Sequence, residues 1–189
     1  MSGRTTPSQT VGPFFNIGFS WLETTDLTGD ASAGTHVTIC GRVIDGANQP
    51  VPDAVLEIWQ ADANGRYSHP EDAPELPGAN QSLGFGRVAV DHEGKFRFTT
   101  LKPGGSSDPN DTPQAPHLVI SIFMRGLLRR LITRMYFPSD PANESDAVLA
   151  RVPASRRHTI IARPADTGEA MLVWDVHLQG DQETVFFDC

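Results

Sequence analysis

The sequence predicts an all-β protein: a two-sheet antiparallel β-sandwich with an N-terminal arm and one short helix. The chain of 189 residues contains 17 glycines and 15 prolines, which divide it into short apolar runs. Several runs alternate apolar and polar residues with a period of two, as half-buried antiparallel strands do. In KFRFTT, for example, Phe96 and Phe98 share one face. Two sheets packed face to face would bury such faces in one domain.

The elements follow in order along the chain. Residues 1–35 carry no strong hydrophobic period and are predicted to form an extended arm. The aromatic-rich stretch VGPFFNIGF within this arm argues against a disordered terminus. Residues 36–189 are predicted to form the sandwich domain. Its predicted strands are 36–44, 54–60, 85–90, 95–100, 117–123, 131–137, 157–162 and 171–178.

Turn and cap residues support these boundaries. The segment DHEGK places Gly94 between two predicted strands, as a hairpin requires. The short helix is predicted over residues 141–150, with Asp140 as its N-cap and Pro141 at its first position.

The composition limits the classes of partner. The formal net charge is −8, which argues against nucleic acid as the main partner because phosphate binding needs a basic surface. An anionic substrate would need a local arginine to overcome this field. No apolar run approaches the length of a membrane span, and the polar N-terminus lacks the apolar core of a signal peptide. We therefore expect a cytoplasmic protein that does not enter a membrane.

A histidine opens the predicted strand in QAPHLVIS, where an imidazole can bind a metal. An H-x-H pattern would place two imidazoles on one face of the strand. Here His117 is followed two positions later by Val119, and the other histidines are scattered. The local pattern therefore favours a hydrogen-bonded histidine at a strand edge over a metal ligand.

A basic segment, IFMRGLLRRLITR, follows the same strand. Its Arg125 precedes Gly126, where the strand gives way to a loop, and binding residues favour such places. A guanidinium group can pair with a carboxylate through two parallel hydrogen bonds. Two interpretations stay open from the residues alone: recognition of a carboxylate, or a solvated edge with acidic neighbours.

Three long runs carry a resemblance to a known family. They are GRVIDGANQPVPDAVLEIWQADANGRY, KFRFTTLKPG, and APHLVIS together with LITRMYF. The chain resembles the intradiol ring-cleaving dioxygenases from about residue 6 to its end. The arm TPSQTVGPFF and the ending ETVFFDC resemble the alpha chain of a two-chain member of that family, whose chains are prealbumin-like β-sandwiches.

The resemblance implies where the cofactor is bound. In the two-chain enzymes the beta chain holds non-haem Fe(III) through two tyrosines and two histidines. Tyr67 and His117 match one position of each kind, whereas Val119 replaces the second histidine and the loop GSSDPND has no tyrosine. The other tyrosine of this chain, Tyr136, lies in an apolar strand and is expected to be a packed core ring. The resemblance thus implies that the iron belongs to the partner beta chain, and that this chain holds no metal.

The resemblance also implies a substrate site shared between the two chains. Thr10, Gly12, Pro13 and Arg125 match the alpha-chain residues that line the pocket completed by the beta chain. Arg125 would neutralise the carboxylate of a small aromatic substrate. The implied reaction of the hetero-oligomer is cleavage of protocatechuate (3,4-dihydroxybenzoate) by O2 to 3-carboxy-cis,cis-muconate, a step of aromatic catabolism in the beta-ketoadipate pathway. No residue of this chain alone is expected to be catalytic.

Three alternatives remain open from the sequence. The chain could be a homomeric, catechol-type intradiol dioxygenase with its own iron. It could be a non-enzymatic, transthyretin-like β-sandwich that serves as a binding module. It could also be a purely structural subunit that contributes nothing to substrate binding.

Overall fold

The computed structural model describes residues 5–29, 34–69, 84–108, 110–166 and 170–188. These residues form two main β-sheets that pack together, and a further sheet of two short strands. Within these ranges, every helix is too short or too polar to cross a membrane. The strands are β1 His36–Ile44, β2 Val55–Trp59, β3 Phe85–Ala89, β4 Lys95–Leu101, β5 Ser106–Ser107, β6 Pro113–Gln114, β7 His117–Phe123, β8 Leu131–Tyr136, β9 Arg163–Pro164, β10 Met171–Val173 and β11 Val176–His177. The helices are α1 Phe14–Gly18 and α2 Ala147–Arg151, with 3₁₀ turns at Ser20–Leu22, Pro141–Glu144 and Ala154–Ile160.

The two sheets differ in their pairing. The second sheet has the order β3-β2-β7-β8, and all its pairs are antiparallel. In the first sheet β1 pairs antiparallel with β4 and parallel with both β10 and β11. Parallel pairing requires a long connection between the paired strands, and here all of β2 to β9 lies between β1 and β10 in the chain. The predicted all-β sandwich is confirmed, with these parallel pairs as an added feature.

The core lies between the sheets. Ile39 and Phe98 of the first sheet and Leu56 and Ile120 of the second are buried in one cluster. Phe96 joins Phe98 on the core face, as the alternation predicts. Full burial of each such side chain stabilises the fold by about 1.5–3 kcal/mol.

Two predicted strands require correction. The predicted strand 157–162 lies largely in the 3₁₀ turn Ala154–Ile160, because Thr159 bonds back to the carbonyl of Arg156 at 2.8 Å and its own carbonyl accepts the indole N–H of Trp174 at 3.1 Å. The predicted strand 171–178 is divided into β10 and β11. At the break the Asp175 carboxylate, in place of a backbone carbonyl, accepts the Arg42 N–H at 3.0 Å.

The predicted helix 141–150 forms as two short pieces. Asp140 caps the first piece as predicted, accepting the Ala142 N–H at 3.0 Å, with Pro141 at the first position. A second capping carboxylate, Asp146, accepts from the backbone of Val148 at 2.9 Å and starts α2. The second cap interrupts what the sequence predicts as one helix.

The hairpin predicted at Gly94 is wrong, although the turn itself is present. Gly94 has φ of +70°, a conformation that favours glycine, and its N–H bonds to the carbonyl of Asp91. The strands on either side belong to different sheets, because β3 pairs with β2 and β4 pairs with β1. The turn therefore carries the chain from one sheet to the other.

The arm is not extended throughout. Residues 14–22 form α1 and a 3₁₀ turn, because Phe15 and Phe19 pack against each other with ring centroids 4.7 Å apart. Further along, Leu27 is fully buried and donates its N–H to the carbonyl of Thr99 in β4. Residues 1–4 and 30–33 of the predicted arm lie outside the described residues. The division of the chain into an arm at 1–35 and a domain at 36–189 stays a prediction.

Candidate functional site

The arm meets the loop that joins β7 to β8. This loop, residues 124–130, is called the Arg125 loop below. The backbone N–H of Gly126 donates to the Thr10 hydroxyl at 2.7 Å, across 116 positions of sequence. Gly126 has φ of +93°, which a residue with a Cβ adopts only with strain. The structure thus brings together Thr10 and the segment that contains Arg125.

Arg125 is held on one side and exposed on the other. Its backbone N–H donates to the Asp53 carboxylate at 3.3 Å, and its Nε lies 3.6 Å from the same oxygen, Oδ2. The Arg125 side chain is 59% exposed, and neither Nη atom hydrogen-bonds to any described residue. One of the two interpretations from the sequence was a solvated edge with acidic neighbours, and Asp53 is such a neighbour. The two free Nη groups could still take a carboxylate from outside the chain.

Gly12 and Pro13 lie between Thr10 and the first helix. The Gly12 carbonyl accepts the N–H of Phe15 at 3.0 Å, and Pro13, with φ of −62°, precedes α1 as its N-cap residue. A Cβ placed on Gly12 would meet no described atom within 4 Å, so this backbone faces open space. A flat ring or a partner chain could approach the backbone closely there.

Aromatic contacts hold the arm on the outer face of the second sheet. Phe15 lies against Phe123 of β7, with ring centroids 5.5 Å apart. The guanidinium of Arg87 lies 4.8 Å from the centroid of the Phe19 ring, a cation–π distance, and Arg87 also pairs with Glu57. Because Phe123 is two residues before Arg125, the same packing places the arm beside the Arg125 loop.

The position that matches a family ligand histidine has a different environment. The buried His117 ring bonds through Nδ1 to the Ala115 carbonyl at 2.7 Å, so Nδ1 carries the proton, and Nε2 has no hydrogen-bond partner among the described residues. Burial lowers the pKa of His117 to about 4, and the nearby guanidinium of Arg134 acts in the same direction. The imidazole is therefore neutral at pH 7.

Val119 follows on the same face of β7. It lies opposite Trp59 on one neighbouring strand and opposite Arg134 on the other. Its side chain offers no donor atom where an H-x-H pair would supply a second imidazole. Arg134 instead places a positive charge on this face, with its Nη1 donating to the Gln114 side chain at 2.8 Å.

The two tyrosines of the chain lie in different environments. Tyr67 stacks on Trp59 with ring centroids 5.9 Å apart and lines a cavity of about 670 Å³ beside β5 and β6. Tyr136 is fully buried and donates its hydroxyl to Asp146 at 3.1 Å, which confirms the predicted core ring. Burial raises the pKa of the Tyr136 phenol well above its ordinary value and so disfavours a phenolate there.

These donors do not fit the family's ferric ligand set. That set needs two phenolates and two imidazoles, whereas the matching positions here supply one tyrosine, Tyr67, and one histidine, His117. In the described part of the chain, no group of three or more His, Cys, Asp and Glu side chains is placed to hold a metal.

An exposed apolar surface lies on the arm. Phe14 and Ile17 on α1 are 78% and 65% exposed, and Trp21 in the 3₁₀ turn that follows is 77% exposed. Leu128, in the Arg125 loop, is also mostly exposed. Large apolar side chains gathered in this way are typical of a surface that another protein covers.

Asp53 is the residue that sequence reasoning missed. It lies in a turn, VPDA, 72 positions before Arg125, and nothing in its local pattern distinguishes it from an ordinary turn carboxylate. Only the folded chain places Asp53 behind the Arg125 loop.

Comparisons with known proteins match nearly the whole chain. The sequence profile of a family described as Dioxygenase matches residues 12–180. The "Protocatechuate 3,4-dioxygenase alpha chain" of Pseudomonas putida is 39% identical over 97% of this chain and 96% of its own length. The "Protocatechuate 3,4-dioxygenase beta chain" of Burkholderia cepacia is 35% identical over 80% of this chain and 67% of its own.

A solved structure shares the fold. It is the 3-chlorocatechol 1,2-dioxygenase from Rhodococcus opacus 1CP, with a TM-score of 0.64 and 23% identity over 80% of this chain and 62% of that chain.

Proposed function

Since this chain belongs to the intradiol ring-cleavage dioxygenase family and is homologous to its alpha chains, we propose that it is the alpha chain of an alpha–beta protocatechuate 3,4-dioxygenase. The complex would cleave protocatechuate with O2 to 3-carboxy-cis,cis-muconate in the cytoplasm. One observation carries the proposal: Thr10 holds Gly126, so that the exposed guanidinium of Arg125 lies beside the arm.

Binding of the substrate carboxylate is assigned to Arg125. Its Nη groups make no hydrogen bond within the described ranges, and a guanidinium offers two parallel N–H donors to a carboxylate. In a chain of net charge −8, such a local cation is what an anionic substrate requires. Thr10, Gly12 and Pro13 would form the adjoining wall against the aromatic ring.

The exposed apolar surface of the arm is assigned as the binding surface for the beta chain. An alpha–beta interface would cover Phe14, Ile17 and Trp21, which are otherwise costly to leave in water. That partner must also supply the ferric ion, because the donors at Tyr67 and His117 fall short of the family's ligand set.

The chain's share in the reaction is binding and orientation. The ring bond between the two hydroxyl-bearing carbons breaks, and both atoms of O2 enter the two new carboxyl groups. Arg125 fixes the carboxylate at one end of the ring, so the two hydroxyl groups at the other end face the partner chain. Correct placement of the reacting carbons is itself a large contribution to rate.

Replacement of Arg125 tests this assignment. In the assembled complex, Arg125→Ala is expected to raise KM for protocatechuate roughly tenfold to a thousandfold, from loss of a charged contact of about 1.5–4 kcal/mol. Catechol lacks the carboxylate, so its KM should change much less. Arg130→Ala, which removes an exposed arginine of the same loop, is the matched control. An unchanged KM for protocatechuate would refute the assignment and favour a purely structural subunit.

A further inference from the structure

Asp53 is a nearly buried carboxylate behind the Arg125 loop. Its side chain is 10% exposed, its Oδ2 accepts the backbone N–H of Arg125 at 3.3 Å, and the same oxygen lies 3.6 Å from the Arg125 Nε, an ion-pair distance. Its other oxygen, Oδ1, is buried without a hydrogen-bond partner among the described residues. A carboxylate in such a place is costly unless a cation compensates it, and Arg125 is the cation in contact with it.

The contact uses one edge of the guanidinium. Nε, on the side nearest the chain, faces Asp53 at 3.6 Å. The outer edge, formed by Nη1 and Nη2, is left without partners in the described part of the chain. A planar guanidinium held by Nε therefore presents its outer edge in a restricted orientation, which favours bidentate pairing with a second carboxylate.

The loop backbone is fixed by the same residue. Asp53 accepts the Arg125 N–H from the sandwich side, while Thr10 accepts the Gly126 N–H from the arm side. Two consecutive backbone N–H groups of the loop are thus bound by two different segments of the chain. The Cα of Arg125 is thereby fixed relative to both the sandwich and the arm.

We propose that Asp53 is a positioning residue for the substrate carboxylate, acting through Arg125 and not touching substrate itself. Asp53 holds the Arg125 backbone and Nε, so that both Nη groups meet the carboxylate of the substrate. This inference rests on the proposed function, in which Arg125 binds the carboxylate of a dihydroxybenzoate.

The electrostatic effect of Asp53 and its positioning effect would change KM for protocatechuate in opposite directions. An anion close to a site for an anionic substrate weakens binding, so removal of Asp53 without any positioning effect should lower KM for protocatechuate. If Asp53 orients Arg125, its removal should raise KM, because a freely rotating guanidinium loses entropy on binding. The sign of the change therefore separates the two roles.

The test uses the single variants Asp53→Ala, Asp53→Asn and Arg125→Ala in the assembled alpha–beta complex. It also uses the double variant that combines Asp53→Ala with Arg125→Ala. We expect Asp53→Ala to raise KM for protocatechuate about three- to tenfold, with kcat and the KM for catechol nearly unchanged. Asp53→Asn, which keeps an oxygen to accept the Arg125 N–H, should give a smaller rise. In the Arg125→Ala background, Asp53→Ala should have no further effect. Asp181→Asn, at an exposed carboxylate, controls for net charge.

Each contrary result identifies what has failed. A fall in KM for protocatechuate, an equal rise for catechol, or effects that multiply in the double variant would each overturn the role of Asp53 while leaving Arg125 in place. A KM that does not respond to Arg125→Ala would overturn the proposed function itself, and the inference with it.

Discussion

At the scale of single residues, the two positions that resemble family ligands, Tyr67 and His117, each lie against another aromatic ring. The absence of a second histidine at Val119 and of a tyrosine in the loop after Lys102 could be read directly from the sequence. The environment of His117 could not, because it depends on the register of two strands. That register places the His117 ring against Tyr136 and brings Arg134 opposite Val119.

The neutral His117 predicts a pH dependence of stability. Its pKa is about 4 in the folded chain and 6.5 in the unfolded chain, so between these values only the unfolded chain binds the proton. The free energy of unfolding should therefore fall as pH falls from about 6.5 to about 4, by up to about 1.4 kcal/mol per pH unit from this group.

Urea unfolding at several pH values would measure this contribution. In the variant His117→Asn, the side-chain amide can still donate to the Ala115 carbonyl but cannot titrate. The slope of stability against pH should be smaller for His117→Asn than for the wild type in this window. Equal slopes would show that His117 has the same pKa in the folded and unfolded chains, which would contradict its neutral state in the folded chain.

At the scale of elements, the aromatic residues of the arm explain where sequence prediction succeeded and where it failed. The density of aromatics in VGPFFNIGF indicated an ordered arm, and residues 14–22 are ordered and helical. The helical turn itself was not predicted, because it depends on Phe15 packing against Phe123 and on Phe19 packing under Arg87. The strand prediction for residues 157–162 was wrong for a similar reason, because the hydrogen bond from Trp174 to the Thr159 carbonyl is a tertiary contact.

Phe15 and Phe14 should have separable effects, because they face opposite environments. Phe15→Ala is expected to lower the free energy of unfolding of this chain by about 1–2 kcal/mol, from lost burial and a lost ring pair. Phe14→Ala should change it by less than about 0.5 kcal/mol, because the Phe14 ring is 78% exposed. Urea unfolding of both variants measures the difference, and an equal loss for the two would contradict the packing of the arm.

Phe14 should instead affect assembly. A charged side chain on an interface that must exclude water is costly, so Phe14→Glu or Trp21→Glu should reduce the amount of beta chain that copurifies with this chain. The matched control is Phe85→Glu, at an exposed aromatic residue outside the arm. Undiminished copurification with both arm variants would place the beta chain on a different surface.

At the scale of the whole molecule, local patterns determine the sandwich but not its connections. Alternation along KFRFTT correctly predicts that Phe96 and Phe98 face a core. Neither the parallel pairing of β10 with β1 nor the turn at Gly94 that changes sheets has a local signature, because each depends on contacts distant in sequence. The same limit applies to the site. The residue type and place of Arg125 suggested binding, and Thr10 was implied only by the family resemblance, whereas the hydrogen bond from Gly126 to Thr10 and the contact with Asp53 required the fold.

The molecule as a whole is proposed to be half of an active site. It offers an exposed arginine, an open stretch of backbone at Gly12 and an uncovered apolar face, while its own donors fall short of a ferric site. In this proposal, each of these features acts when a second chain covers the arm.

Oxygen consumption with protocatechuate, measured for this chain alone and with its beta chain, tests this claim most directly. We expect none from the chain alone, which should also lack the visible absorption band of tyrosinate-bound ferric iron, and ring cleavage once the beta chain is present. Oxygen consumption by the isolated chain, with near-stoichiometric ferric iron and that band, would contradict the account and establish a self-sufficient dioxygenase.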